Sequence, residues 1–334
     1  EELIMADCVF AASMIRSLEK KLISAEKFNS LIDSGSIEDV CRAMQDAGYG
    51  SDADPVTVES YQRLMAEAQH HTFEDNLRLG KDFKLMDIPA FINDYHNIKV
   101  LLKAEALGVD RSDILLPSGT IPADAMAEYV RDRNRSVLTE NMYKAVLEAS
   151  EAHARTGDPQ QIDIICDKYW YADMLRVAEE CKNQFAIDYV KLRIDLVNLK
   201  AYARVRRMGE GWPFLSNIFV EGGTVAASTY QKAYAEDYEQ FASHFKGTNL
   251  YIAARDGFEA MAKSGDFTGF ERALDNAVME NIQAGRYTTY GIEAVFCYYI
   301  AKYNEMTNLR IIMANKIAGT SPEMIKERLR ATYE

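Results

Sequence analysis

The sequence is poor in the residue patterns that support catalysis or metal binding. Its five cysteines are scattered and odd in number, and no two of them form a Cys-x-x-Cys pair. They are Cys8, Cys41, Cys166, Cys181 and Cys297. This distribution matches neither a zinc site nor a disulfide framework and is typical of a reducing cytoplasm. Neither His-Glu-x-x-His nor Gly-x-Ser-x-Gly occurs, so we expect no catalytic residue, no metal ligand and no bound cofactor.

Long apolar runs and an excess of positive charge are also absent. The longest uninterrupted apolar run covers residues 294–301, far short of the ~20 residues that span a bilayer. The net charge is −13, which argues against nucleic acid as a partner because phosphate binding requires the opposite sign. The sequence therefore predicts a cytoplasmic protein without direct bilayer insertion, whose connection to any membrane is indirect.

The acidic charge is concentrated in the first third of the chain. Residues 1–110 hold 20 acidic and 11 basic residues, whereas residues 111–215 hold 16 and 15, and residues 216–334 hold 15 and 12. Opposite charges steer and align docking proteins. We therefore expect the first third to contribute to an interface with a basic protein surface, and charge reversal of its clustered acids to weaken that association at low salt.

Helical periodicity runs through almost the whole sequence, and alternating β-branched runs with hairpin turns are absent. Asp54 and Pro55 predict the start of a helix that continues to Gly80. Pro89 predicts the start of the next helix, which we expect to end near Gly108.

The later part of the chain has the same character. Residues 160–208 contain neither Gly nor Pro, which predicts two long helices with a break near Asn183. Gly291 precedes a predicted helix that reaches about Lys316, and residues 321–323 (Ser-Pro-Glu) predict the start of a terminal helix. Together these patterns predict an all-α fold.

A short box of the form acidic-x-x-Asn-aliphatic-basic occurs three times. The copies begin at residues 94, 195 and 305, which are 101 and 110 residues apart. Their defining residues are Asp94, Asn97 and Lys99, then Asp195, Asn198 and Lys200, and finally Glu305, Asn308 and Arg310. A pattern that recurs after about a third of the chain predicts one helical unit laid down three times. We expect three similar helical repeats, at residues 1–112, 113–215 and 216–334.

A Gly-Thr pair follows each box. Gly119-Thr120 and Gly223-Thr224 lie 104 residues apart, and Gly319-Thr320 follows the third box at a shorter distance. Glycine is favoured just past a helix end, and threonine is favoured as the N-cap of the next helix. The pairs therefore predict a helix, a turn and another helix in each copy.

The box residues suggest a structural role. On a helix, Asp94 and Asn97 share a face with Leu101, next to a second, apolar stripe. If both stripes pack, the polar side chains are buried and need hydrogen-bond partners, for which backbone groups at adjacent helix ends are suited. We expect each box to pin helix ends within its own unit, and Asn198→Ala to destabilise the fold by about 1–3 kcal/mol.

Several patterns also allow functional interpretations. The acid, amide and cation of a box could bind a phosphate or a cation, but no glycine-rich phosphate loop accompanies any copy. His70, His71 and Glu74 could ligate a metal, but adjacent histidines point about 100° apart on a helix, so a solvated face is the simpler interpretation. Ser17 and Lys20 match Ser-x-x-Lys, but its partner motifs are missing.

Two further clusters have a structural and an interface interpretation. Tyr298, Tyr299 and Tyr303 lie beside the third box and fit either a core or a protein interface. A basic group near the end of a predicted helix fits either a solvated helix terminus or a site for an acidic partner. The group consists of Lys200, Arg204, Arg206 and Arg207.

The three box segments and both ends of the chain resemble the C-subunit (d-subunit) family of V-type and A-type ATPases. The similar segments are residues 94–103, 194–200 and 291–316 around the boxes, residues 14–22 near the beginning and residues 322–333 near the end. The resemblance covers nearly the whole chain. It is weaker at the third box, where Glu305 and Arg310 replace Asp and Lys, and at the amino terminus, which lacks the family's aromatic pattern.

The resemblance implies a non-catalytic component of a rotary ATPase. Members of that family are all-helical, consist of three similar lobes in a pseudo-threefold, funnel-like arrangement, and lie in the central stalk. The implied partners are the rotating shaft subunits and the membrane proteolipid ring, between which the protein transmits torque during proton or sodium transport. The implied location is peripheral to the membrane, through the complex. No catalytic residue is carried over.

Two other functions remain compatible with the residues. An all-helical adaptor that binds partner proteins in a concave groove would have a much shorter repeat, and no repeat of 30–50 residues is present. A helical hydrolase that uses a cysteine and a histidine would need a pairing that the sequence does not indicate.

Overall fold

The computed structural model describes residues 2–80, 84–248, 250–286 and 292–333, with side chains for all of these except 2–10 and 76–80. Within these ranges the regular secondary structure consists of α-helices and two short 3-10 turns, without a strand. The all-α class predicted from the sequence is therefore confirmed. Among the described helices, none combines the length and the apolar character needed to cross a bilayer.

The chain packs as two compact units, and the first of them contains both chain ends. It comprises Glu1–Phe83 and Asp237–Glu334, while the second unit comprises Lys84–Glu236. These boundaries describe spatial packing rather than repetition of sequence, and they do not coincide with the predicted divisions after residues 112 and 215. The division into three sequence repeats therefore stays a prediction.

The helices of the described residues follow one another in three groups. The first unit begins with α1 (Glu2–Glu19), α2 (Ala25–Asp33), α3 (Ile37–Asp46) and α4 (Tyr61–Gly80). The second unit contains α5 (Asp87–Leu107), α6 (Ala123–Asp132), α7 (Glu140–Thr156), α8 (Gln160–Glu180), α9 (Gln184–Arg207), α10 (Trp212–Ile218) and α11 (Ala227–Ala233). The chain returns to the first unit with α12 (Tyr238–Ser243), α13 (Leu250–Ser264), α14 (Thr268–Gly285), α15 (Glu293–Ile317) and α16 (Pro322–Arg328).

In the second unit the long helices α5, α8 and α9 alternate in direction. The Lys99 ammonium lies 2.8 Å from Asp167, and the Lys103 ammonium lies 2.7 Å from Asp163. Residue numbers thus rise along α5 as they fall along α8, so these two helices are antiparallel. Helix α9 follows α8 after only three residues and packs back against it. Helices α5 and α9 therefore run in the same direction.

The break between α8 and α9 lies where the sequence predicted it. Lys182 adopts a left-handed backbone conformation with φ of 49°. The Asn183 side chain then accepts the Ala186 N–H at 3.0 Å and caps the start of α9. A capped helix start after a left-handed residue ends one helix and begins the next without Gly or Pro.

Helix α4 starts later than predicted, so the N-cap role of Asp54 was wrong. The backbone of Asp54 is engaged in a turn with Ser51, and its carboxylate binds the Arg63 guanidinium at 2.7–2.8 Å. Thr57 and Ser60 instead exchange side-chain and backbone hydrogen bonds directly before Tyr61. This reciprocal bonding forms the local turn from which α4 starts.

The predicted boundaries of α5 and α15 and the predicted start of α16 agree with the structure within two residues. Helix α5 starts two residues before Pro89 and ends at Leu107, directly before Gly108, whose φ is 65°. Helix α15 ends one residue after Lys316, and Ser321 caps α16 as predicted. Gly291 lies outside the described residues.

The core of the first unit joins helices from opposite ends of the chain. Leu64 and Met65 of α4 belong to one buried cluster with Leu309 and Met313 of α15. Side chains of α2, α3 and α16 complete this cluster. Burial of apolar surface therefore holds the N-terminal helices against the helix that carries the third box.

Candidate functional site

In the first box, the acid and the amide bind the loop that follows their own helix. Asp94 and Asn97 are both fully buried on α5. Asn97 donates from Nδ2 to the Leu116 carbonyl and accepts the Leu116 N–H at Oδ1, each at 2.8 Å. Asp94 accepts the Thr120 N–H at 2.9 Å, the Thr120 hydroxyl at 2.7 Å and the Ile121 N–H at 3.2 Å. We call this arrangement the acid–amide clamp.

The second box forms a second acid–amide clamp. Asp195 and Asn198 are buried on α9. Asn198 donates to the Val220 carbonyl at 2.7 Å and accepts the Val220 N–H at 2.9 Å. Asp195 accepts the N–H groups of Thr224 and Val225 at 3.0 and 3.1 Å. In both clamps, the buried polar side chains and the backbone groups of the loop thus satisfy each other's hydrogen-bonding requirements.

The glycines of the first two Gly-Thr pairs are required by these clamps. A Cβ atom on Gly119 would lie 2.1 Å from Asp94 Oδ1, and one on Gly223 would lie 2.3 Å from Asp195 Oδ1. These distances are far shorter than any non-bonded contact. The loop backbone can approach each carboxylate only because glycine has no side chain.

The predicted helix-ending and capping roles of the Gly-Thr pairs were wrong for most of these residues. The N-caps of α6, α11 and α16 are Pro122, Ala226 and Ser321 instead of the threonines. Thr120 is drawn away from the helix because its hydroxyl and its N–H both bind a carboxylate. Only Gly319 lies just past a helix, at the end of α15, with φ of 71°.

The third box keeps the amide half of the clamp. Asn308 is fully buried on α15. It donates to the Arg330 carbonyl at 3.1 Å and accepts the Arg330 N–H at 2.9 Å. The amide of each box therefore pairs with both backbone groups of one residue, 19, 22 and 22 residues further along the chain.

The acid of the third box has different partners. Glu305 is buried and accepts the Ile23 N–H at 2.6 Å and the Tyr49 hydroxyl at 2.6 Å. The buried Lys302 ammonium also binds its carboxylate and lies 4.5 Å from the centre of the Tyr49 ring. A buried carboxylate and ammonium are tolerated when they are paired and hydrogen-bonded.

The basic residues of the boxes are half-buried, and two of them reach a neighbouring helix. Lys99 binds Asp167 of α8 at 2.8 Å. Arg310 donates to the Gln69 side chain of α4 at 3.3 Å. Lys200 lies half-buried at the corresponding position of α9.

Burial shifts the proton affinity of the clamp acids. It raises the pKa of Asp94 from 3.8 to about 6, although the hydrogen bonds from Thr120 and Ile121 act in the opposite direction. Burial also raises the pKa of Asp195. Donors that point at a carboxylate favour its charged form, but loss of hydration outweighs them here.

A fourth buried acid, Asp173 of α8, is fully buried and was not predicted from the sequence. It accepts hydrogen bonds from Tyr95 Oη at 2.8 Å, Thr139 Oγ1 at 2.5 Å, Asn141 Nδ2 at 3.0 Å and Arg176 Nε at 3.0 Å. The only available signal was Tyr95, which lies in the apolar stripe of α5 and needs a partner for its hydroxyl.

The cysteines whose side chains are described have no sign of activation. Burial raises the pKa of Cys166 to about 12 and also raises the pKa of Cys41, Cys181 and Cys297. Because the thiolate is the reactive form, such thiols are poor nucleophiles near neutral pH. This weakens the case for a hydrolase based on one of these four cysteines.

The remaining motifs from the sequence lie on helix surfaces or in the core. His70 and Glu74 lie 3.6 Å apart on α4, and the described residues contain no group of three potential metal ligands. Ser17 and Lys20 are exposed. Tyr298 and Tyr299 are buried, and Tyr303 is partly exposed. Arg206 binds the Tyr202 hydroxyl at 2.7 Å, and the other members of its basic group are half-buried or exposed.

The three box helices end in the same way. Each is followed by a glycine with a left-handed φ, at Gly108, Gly209 and Gly319, eleven residues after the asparagine of the box. A large apolar side chain is exposed one or two residues before each glycine. Leu107 is 75% exposed, Met208 is 65% exposed and Ile317 is 47% exposed. Because α5 and α9 run in the same direction, Leu107 and Met208 lie at the same end of the second unit.

Comparisons with known proteins extend over most of the chain. A model of the ATP synthase (C/AC39) subunit family matches residues 11–328. The chain is 26% identical to the C subunit of the A-type ATP synthase of Methanocaldococcus jannaschii, over 97% of this chain and 86% of that protein. It is 25% identical to the C subunit of the A-type ATP synthase of Methanosarcina mazei, over 96% and 92% of the two chains. It is 20% identical to the C subunit of the V-type sodium ATPase of Enterococcus hirae, over 96% and 97%.

Proposed function

Since this chain belongs to the ATP synthase (C/AC39) subunit family, we propose that it is a non-catalytic central-stalk subunit of a rotary V/A-type ATPase. In this role it couples the rotating shaft subunits to the membrane proteolipid ring during proton or sodium transport, and it lies peripheral to the membrane through the complex. The family match over residues 11–328 carries this proposal.

The acid–amide clamps support a mechanical role. A protein that transmits torque must resist twisting, so its long helices must be fixed at their ends. In the second unit, Asn97 and Asn198 each hold the connection that leaves their own helix through two hydrogen bonds. Fully satisfied buried networks of this kind rigidify a fold.

The recurrence of the boxes supports the proposed three-lobed, funnel-like form. An acid and an asparagine recur on α5, α9 and α15, and a left-handed glycine follows each of these helices at the same distance from the asparagine. We propose that each of these helices is the main helix of one lobe, and that the lobes are related by a pseudo-threefold axis.

The exposed apolar ends of the box helices are suited to contact a neighbouring protein of the complex. Large exposed apolar side chains at the same end of a unit are unfavourable in water and favour protein contact. Leu107 and Met208 are the most exposed of these residues in the described chain. We propose that they contribute to the contact with the adjoining protein.

The decisive experiment measures ATP hydrolysis and ATP-driven ion uptake by vesicles that carry the complex with and without this chain. We expect the complex with the chain to couple the two activities, and removal of the chain to abolish ion uptake while hydrolysis by the catalytic head continues. Ion uptake that persists without the chain would contradict the proposal, and so would failure of the chain to copurify with shaft and ring subunits.

A second experiment tests the apolar helix ends in the same complex. We expect the double variant Leu107→Asp, Met208→Asp to lower the amount of chain retained by the complex, without changing the melting temperature of the isolated chain. Ile252→Asp is the matched control, because Ile252 is 56% exposed and lies on α13, a helix that carries no box. Equal retention of the double variant and the control would remove these residues from the interface.

A further inference from the structure

The acids of the three clamps bind the chain at the same position relative to the start of a helix. In each clamp the acid accepts the N–H of a residue that stands one position before the N-cap of a helix. These donors are Ile121 before α6, Val225 before α11 and Ile23 before α2. All three are buried β-branched residues. Ile23 therefore corresponds to Ile121 and Val225, although it lies near the beginning of the chain.

The chain connection is what distinguishes the third clamp. The donors to Asp94 and Asp195 follow these acids by 27 and 30 residues. The donor to Glu305 precedes it by 282 residues. The amide partner does not change in this way, because Arg330 follows Asn308 by 22 residues, as Val220 follows Asn198. The third clamp thus takes its amide partner from the C-terminal part and its acid partner from the N-terminal part.

The substitutions in the third box fit this change of connection. In the first clamp a threonine hydroxyl of the loop binds the acid, and in the third clamp the Tyr49 hydroxyl binds it. Glu305 is one methylene longer than the aspartates and so reaches both Tyr49 and the Ile23 N–H. Lys302 balances the buried charge of Glu305 from the same helix.

The C-terminal segment that follows α16 is held by further side-chain amides. Asn276 accepts the Ala331 N–H at 2.7 Å, and Asn304 donates to the Ala331 carbonyl at 2.8 Å. Gln283 donates to the Thr332 carbonyl at 2.9 Å. This segment is therefore anchored to α14 and α15 close to the third clamp.

The surrounding helices also correspond. Helices α6, α7 and α8 pack against α5. In the first unit α1, α3, α4 and α14 pack against α15, and α2 packs against α16. In both units, helices that come after a clamp thus pack against the box helix of that clamp. In the first unit, however, the later helices of the group are at the beginning of the chain.

We propose that the third clamp joins the two ends of the chain into a single lobe, in which α2–α4 complete the structure that begins with α15. Glu305 is the positioning residue of this joint, because it binds the segment that leads into α2. The repeated structural unit then begins at a box helix, so it is circularly permuted with respect to the segments 1–112, 113–215 and 216–334. This inference does not depend on the proposed function.

The test compares hydrogen exchange, measured by mass spectrometry on the isolated full chain, in two matched variants. We expect Glu305→Gln to speed exchange in residues 22–33 by about tenfold or more and to leave residues 116–132 unchanged. We expect Asp94→Asn to do the reverse, because it weakens the first clamp. Unchanged exchange in residues 22–33 of Glu305→Gln would overturn the proposal, and so would a uniform rise along the chain.

Tyr49→Phe provides the second variant, because it removes only one hydroxyl and leaves the ring in the core. We expect a smaller increase of exchange, confined to the same N-terminal segment. If Glu305→Gln does not fold, the exchange measured on Tyr49→Phe tests the proposal in its place. Exchange in residues 22–33 that equals that of the wild type, or that rises equally in residues 116–132, would then contradict the joint.

Discussion

Gly119 and Gly223 are required for a steric reason, because a carboxylate of the same clamp occupies the space that a Cβ atom would need. Gly119 has no left-handed backbone angle, so backbone freedom does not explain its presence. The limiting factor is the Asp94 carboxylate, which three hydrogen bonds hold in place. The sequence could indicate that Gly-Thr recurs, but the position of the carboxylate depends on how the loop folds back on α5.

Gly119→Ala should therefore destabilise the protein strongly. We expect the free energy of unfolding to fall by about 2–3 kcal/mol, because the new methyl group displaces a buried, hydrogen-bonded carboxylate. Urea denaturation measures this change. Gly35→Ala is the control, since a Cβ there meets no atom within 4 Å. In an Asp94→Ala background the cost of Gly119→Ala should largely disappear, and an undiminished cost would refute the steric explanation.

The raised pKa of Asp94 predicts a pH-dependent stability. With a pKa of about 6 in the folded state and 3.8 as the ordinary value, the folded protein binds the proton more tightly than the unfolded chain. The stabilising contribution is fully present below the lower value and is lost as the pH rises through about 6. The wild type should gain about 1 kcal/mol over Asp94→Asn between pH 8 and pH 5.

This prediction is checked by urea denaturation of both proteins across that pH range. Asp195→Asn should show a difference of the same sign, because burial also raises the pKa of Asp195. Parallel stability curves for the wild type and Asp94→Asn would mean that the carboxylate titrates at its ordinary pKa.

Asn198→Ala isolates the amide half of a clamp. It leaves the N–H and the carbonyl of Val220 without the partner that now lies at 2.7–2.9 Å. Stranded buried backbone groups cost about 1–3 kcal/mol, which should appear as a lower melting temperature in calorimetry. Asn29→Ala is the matched control, because Asn29 is exposed on α2. An equal melting temperature in both variants would mean that water replaces the Asn198 side chain as the hydrogen-bond partner of the Val220 backbone groups.

At the level of elements, helix type and many boundaries could be predicted from the sequence, because periodicity and capping chemistry are local. Ser321 and Asn183 cap the helices that follow them, as local rules require. The start of α4 could not be predicted in this way. Asp54 is a good N-cap by type, but its ion pair with Arg63, nine residues away, competes with that role.

The turn between α8 and α9 contains avoidable backbone strain at Lys182. This exposed residue has φ of 49°, a conformation that costs a non-glycine residue about 1 kcal/mol. We expect Lys182→Gly to raise the free energy of unfolding by up to about 1 kcal/mol, measured by urea denaturation.

Arg133 provides the matched control for this turn. Its φ is 51°, but its guanidinium binds Glu105 at 2.9–3.0 Å and Ser150 at 3.1 Å. Arg133→Gly removes these hydrogen bonds, and their removal offsets the relief of strain, so this variant should not be more stable than the wild type. A Lys182→Gly variant less stable than the wild type would contradict the strain argument.

At the level of the whole molecule, the acidic first third predicts an electrostatic contribution to assembly. Asp46 at the end of α3, and Asp52 and Glu59 between α3 and α4, are exposed. Changing all three to lysine should weaken retention of the chain by the complex at low salt and have less effect at high salt, since salt screens such contacts. Copurification at two salt concentrations measures this effect.

The control for this experiment reverses the same amount of charge in the second third of the chain. Glu128, Glu151 and Glu179 are also exposed, so their change to lysine alters net charge equally. If both triple variants lose retention to the same degree, net charge and not the acidic first third is responsible.

By itself, the sequence determined the all-α class, most helix ends, the three boxes and the resemblance to a family that the comparisons then confirmed. These features depend on residues that are neighbours along the chain or on one face of a helix, so composition and spacing carry them. The tertiary structure decided which loop each acid binds, why glycine precedes Thr120 and Thr224, and that Ile23 meets Glu305 across 282 residues. The spacing of residues in the sequence does not indicate such contacts, because burial and chain folding select the partner of a buried carboxylate from the whole molecule.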